Sequence, residues 1–175
     1  LEIVQIPPTL GTGDDFNLVV LAARADALTS RFDIWLRQVD STDFYPLVTS
    51  VNFAIGGLVD ATFAPYTDGG GNSTVDDDTE AVRVAIASGT PAPELDRMDD
   101  VQTDDAVEDD ALILFLIRAA DPTQFEILTV KQAVLVTGRT YDLVVRRARF
   151  GTQQGGDGSY SFVSGDRAWL IYRRL

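Results

Sequence analysis

Two residue types are missing from this 175-residue chain altogether, cysteine and histidine, and methionine occurs once. Without cysteine there are neither disulfides nor thiolate metal sites. Without histidine the commonest general base and the commonest zinc ligand are lost together. Ser-His-Asp and Cys-His nucleophilic machinery is therefore excluded, as are metal hydrolases built on imidazole. No apolar run approaches the ~20 residues that a membrane-crossing helix needs. The longest, Ala111–Ile117, reads as a buried strand. The sequence opens on Leu1 with no secretory signal, so we expect it to be part of a longer polypeptide.

Positive charge is also scarce: 14 Lys and Arg stand against 27 Asp and Glu, a net charge of −13. Residues 60–110 hold 15 of the acids and only two basic residues, Arg83 and Arg97, so one segment carries the whole excess. Such a block repels nucleic acid and anionic lipid, and neither is expected as a partner. What is present is an ordinary apolar fraction of 45%. A chain this long buries roughly 70% of its unfolded surface, enough for a sizeable core. We expect one β domain spanning 1–175.

Period-two alternation runs through most of the chain. Strands are expected at Glu2–Ile6, stopped by Pro7-Pro8, then at Asn17–Ala23, and at Arg31–Val39. In the last, Phe32, Ile34 and Leu36 share one face; Trp35 lies among charges on the other, which should be half covered. Tyr45–Phe63 reads as a hairpin turning at Gly56-Gly57. Val82, Val84 and Ile86 alternate against Arg83 and Ala85. Phe125–Thr137 and Tyr141–Thr152 flank a tight turn at Gly138-Arg139, and Asp166–Tyr172 supplies a last apolar strand. Leu95, Met98 and Val101 approach helical spacing, giving at most one short helix or turn. Composition makes 67–79 and 96–110 flexible acidic segments. About ten short strands predict an all-β fold, mostly antiparallel, either a sandwich or a partly open barrel with long acidic loops. Leu112, Leu114, Leu116, Leu128, Val130, Leu143, Val145, Leu170 and Tyr172 should face inward.

The C-terminal third carries a resemblance. Glu126 opens a strand, a hairpin follows, then Tyr141-x-Leu143 and the box Arg147-Ala-Arg149-Phe150-Gly151-Thr152. Over about the last 65 residues this resembles tail-tip, or baseplate hub, proteins of long-tailed bacteriophages and gene-transfer agents. Gly165-Asp166 before Arg-Ala-Trp-Leu-Ile is similar to the last strand of that pattern. Ala148 stands where the family usually has glycine, and the histidine-containing segment that often follows the box is absent. The resemblance implies a structural, non-enzymatic virion module that binds other protein subunits of a tail or baseplate assembly. It also implies an interaction or structural role for Arg147, Arg149, Phe150, Gly151 and Thr152.

Glycoside hydrolysis needs only two carboxylates, but most of the acids lie where nothing would hold two of them in a dry pocket. Glu126, flanked by apolar residues, reads as a strand-face carboxylate paired with an arginine. Residues 68–78 offer oxygen ligands for calcium but lack EF-hand spacing; the ordinary reading is a solvated loop. Arg146, Arg147 and Arg149 are expected to meet the chain's own acids or a neighbouring subunit, and Gly151 to adopt a positive φ. Trp35 and Trp169 read as core or interface anchors. No catalytic, cofactor or metal site is expected. The competing reading is a surface carbohydrate-binding β-sandwich, and a third is an enzyme using carboxylates alone. Because one segment holds the charge excess, added salt should raise Tm by screening self-repulsion. A thermal melt series in sodium chloride checks this; a flat or falling Tm counts against it.

Overall fold

A computed structural model describes residues 1–6, 17–26, 28–37, 39, 42–65, 81–99, 112–147 and 160–172. Among these residues ten strands and one helix follow one another: β1 (Glu2–Ile6), β2 (Asn17–Leu21), β3 (Phe32–Arg37), β4 (Phe44–Ser50), β5 (Ile55–Val59) and β6 (Ala81–Ile86), then α1 (Ala92–Asp99), β7 (Leu112–Ile117), β8 (Phe125–Thr137), β9 (Thr140–Arg146) and β10 (Arg167–Tyr172). The all-β expectation holds, and the main sheet closes. Six antiparallel strands form a barrel in the order β10-β5-β6-β9-β8-β7. Closure removes the sheet's two edges, and with them its unpaired backbone groups.

Period two explains the barrel's filling. Leu112, Leu114 and Leu116 of β7 share one core with Leu128 and Val130 of β8, Leu143 and Val145 of β9, and Leu170 of β10; Tyr172 packs at its margin. All nine residues expected to face inward are therefore placed as expected. The alternate face of β7, with Ile113, Phe115 and Ile117, is buried too, under Leu21, Ala54, Ile127 and Trp169. Both faces of β7 are covered, which is why Leu112–Ile117 carries no polar residue. Each fully buried Leu or Ile contributes about 1.5–3 kcal/mol of transfer free energy, so this strand alone is a large part of the driving force.

α1 forms where the Leu95 and Met98 spacing expects it, and both side chains join the barrel core. Residues 96–99, the start of the segment expected to be flexible, lie in this helix, and Met98 is buried. The rest of that segment, Val101, and the segment 67–79 with the candidate calcium loop lie outside the described residues.

One expectation fails. Gly56-Gly57 does not turn a hairpin: β4 pairs with β3, while both glycines lie inside β5, between β6 and β10. Glycine is needed there for close approach, not for a bend. A Cβ on Gly57 would sit 2.7 Å from the Ala85 carbonyl oxygen and 2.9 Å from Val84 Cγ1; one on Gly56 would meet the Ala23 Cβ at 3.0 Å. The real turn glycine is Gly138, between β8 and β9, at φ +56° as the sequence anticipates. Gly57→Ala should destabilise the fold by about 1–3 kcal/mol, because the clashing atom belongs to backbone that cannot swing away. Urea unfolding measures this, and a loss below about 0.5 kcal/mol contradicts close approach as the reason for the glycine.

Candidate functional site

β8 and β9 bring two charged side chains into the barrel core. Glu126 is in phase with Leu128 and Val130, Arg147 with Leu143 and Val145, so alternation turns both inward. Both are essentially fully buried. Arg147 Nε donates to Glu126 Oε1 at 2.9 Å and Nη2 donates to Oε2 at 2.7 Å, a two-pronged pair. Nη1 donates to the Ala64 carbonyl at 2.7 Å, and the guanidinium carbon lies 4.3 Å from the centroid of the Phe63 ring. The expectation that Glu126 pairs with an arginine is met, and Arg147 finds an acid of its own chain. Arg149, Phe150, Gly151 and Thr152 of the same box lie outside the described residues.

This end of the barrel is tied together further. Phe63 and Phe162 bridge through their backbones and are both buried in the core. Buried Asp166 accepts from the Ala119 N–H and the Val163 N–H, each at 2.8 Å, joining the exit of β7 to the turn before β10. Gly165 precedes it at φ +96°. The Gly165-Asp166 pair therefore serves a tight turn with its own carboxylate as the lock. Trp169 is a core residue, as expected. On the outer wall, Arg83 and Asp142 form another two-pronged pair, each bond 2.8 Å. The hydrogen bond from Arg83 holds the Asp142 carboxyl below its ordinary value against the opposing effect of burial.

The second region that stands out is the β3–β4 ribbon, a two-stranded sheet separate from the barrel in which no described residue is buried. Its base is held by Phe32 against Phe53, with ring centroids 5.1 Å apart, and by Arg24 stacked 4.3 Å from the Phe53 ring. Arg24 also donates to Glu94 of α1 and to the Thr29 carbonyl. Beyond this base the ribbon is apolar and open. Eight of the sixteen large apolar residues exposed among the described residues fall between 35 and 51: Trp35, Leu36, Val39, Phe44, Tyr45, Leu47, Val48 and Val51. A depression of about 420 Å³ on the ribbon is lined by Arg31, Asp33, Trp35, Leu47 and Thr49, among others. Trp35 is 54% exposed, so the face expected to be half covered is open. The one sequence signal for this site was a tryptophan flanked by charges in a strand whose other face is apolar.

Among the described residues no group of three or more His, Cys, Asp or Glu could hold a metal ion, and no helix is long and apolar enough to cross a membrane. Comparison with protein-family models, with curated proteins and with solved structures finds no match to this chain.

The buried pair makes a sharp prediction. Glu126→Gln or Arg147→Met alone should cost about 3–5 kcal/mol, since each strands the remaining partner without its match. The double replacement Glu126→Gln with Arg147→Met should cost less than the sum of the singles. Denaturant unfolding of the four proteins decides it, and strict additivity would refute coupling between the two groups.

Proposed function

We propose that the chain is a structural, non-enzymatic module of a phage-type tail tip or baseplate hub, resident in the virion, that binds neighbouring protein subunits through the β3–β4 ribbon. The observation that carries this reading is the concentration of exposed apolar side chains on one ribbon held off the barrel. Exposed apolar side chains gathered on one element, beside charges such as Arg31 and Asp33, are characteristic of surfaces covered in an assembly. The resemblance of the last 65 residues to tail-tip proteins supplies the kind of assembly. The box residue Arg147 supports a structural role, because it donates hydrogen bonds to Glu126 and Ala64 inside the chain.

The carbohydrate-binding alternative calls for two or three coplanar aromatics on one face. Here they divide. Trp35 and Phe44 lie on one face of the ribbon, where Arg37 approaches Phe44 at 5.7 Å, and Tyr45 opposite Leu36 lies on the other. That division favours a protein partner reaching round the ribbon over a flat sugar platform. Leu47→Asp and Tyr45→Asp should leave Tm within about 2 °C of wild type, since exposed positions contribute little to stability. Both should abolish incorporation into a tail-like particle when the domain is expressed within its parent polypeptide, read by electron microscopy. Normal particles from both variants would overturn the reading.

A further inference from the structure

The ribbon's two strands differ at their outer edges. β4 carries Pro46, which lacks an N–H, and an irregularity at Leu47, where Ile34 opposes Val48 but Trp35 opposes Pro46. Both features blunt an edge against further pairing. β3, Phe-Asp-Ile-Trp-Leu-Arg, has no proline, no lysine and no bulged residue, and among the described residues it pairs only with β4. Among the described residues its outer edge is therefore an unguarded row of backbone donors and acceptors. A two-stranded ribbon is at best marginal in water, and a third or fourth strand stabilises it.

The sequence of β3 says which strand fits. Asp33-Ile34-Trp35-Leu36-Arg37 is self-complementary about Trp35. We propose that β3 pairs antiparallel with β3 of a second copy of this chain, about a twofold axis through Trp35. Trp35 then faces its own counterpart, Ile34 faces Leu36 of the second copy, and Asp33 faces Arg37. Symmetry makes each of the last two pairs occur twice. Opposite charges and aromatics directly across a strand pair stabilise it, and like charges oppose it. Neighbouring registers fail this test. An axis through Ile34 sets Arg31 against Arg37, an axis through Asp33 sets that acid against itself, and an axis through Leu36 leaves Asp33 facing Val39. The result is a four-stranded sheet, β4-β3-β3-β4, on which the apolar residues of both ribbons merge.

Long-range charge agrees. Two copies of a chain with net charge −13 repel over most approaches, but residues 31–50 hold two arginines and three aspartates and are nearly neutral. The inference rests on the reading of the ribbon as a protein-binding surface and names the partner strand.

Sedimentation velocity on the full chain over a concentration series tests it. The wild type should dimerise. Asp33→Arg and Arg37→Asp should each weaken dimerisation about tenfold or more, because each sets like charges face to face. An equimolar mixture of the two single variants should restore dimers, since every Arg then meets an Asp, and so should the double variant. Circular dichroism establishes that the variants are folded. A wild type monomeric at all concentrations overturns the inference, as do single variants that dimerise normally or a mixture that stays monomeric. If that monomer still enters particles, the proposed function stands and only the self-pairing falls. If the charge swaps behave as expected while ribbon variants assemble normally, the self-pairing stands and the assembly role falls.

Discussion

The two-pronged bond between Arg147 and Glu126 is the constraint to which one end of the barrel conforms. Removing both charges from water costs several kcal/mol per ion, and their attraction roughly returns that amount. A pair of leucines would give similar stability without directional demand. The guanidinium fork, by contrast, is planar and satisfied in one arrangement, with Glu126 on two nitrogens and Ala64 on the third. It therefore fixes where β9 ends relative to the start of β8, and where the chain leaving β5 crosses the barrel mouth. Phe63 covers the guanidinium, Phe162 pairs with Phe63, and Asp166 holds the turn beyond.

With that end tied down and α1 inserting Leu95 and Met98 into the same core, the barrel interior is filled by side chains. Half of the large apolar side chains left open among the described residues lie outside this packed interior, on or beside the β3–β4 ribbon. The ribbon reaches the barrel through a small aromatic and cationic joint at Phe32, Phe53 and Arg24. Glu94 links that joint to the helix. Among the described residues, the packed core and the exposed ribbon are thus connected through this joint.

Much of the barrel was legible because its strands are half-buried and obey period two; Val82, Val84 and Ile86, or Leu143 and Val145, announce their face without help. The Glu126 partnership was legible in kind for the same reason, since an acid in phase with Leu128 and Val130 must find a cation. Gly56-Gly57 was misread because glycine serves both turns and close packing, and only the position of Ala85 distinguishes them. Closure was not legible either: that β10 lies between β5 and β7 depends on contacts over 100 residues apart for β5, which no local pattern encodes. The openness of the ribbon was hidden likewise. Alternation says which side chains share a face, not whether another element arrives to cover it.

The place of β10 in the barrel has a kinetic side. It is the last strand in the chain, yet it joins the first barrel strand to β7 and so turns an open five-stranded sheet into a closed one. Until it docks, β5 and β7 each present a bare edge, and that of β7 is the most apolar strand in the molecule. Pairings this distant in sequence form slowly, and exposed apolar edges are where chains stick to one another instead. The protein's most dangerous moment is therefore the interval before its final strand arrives.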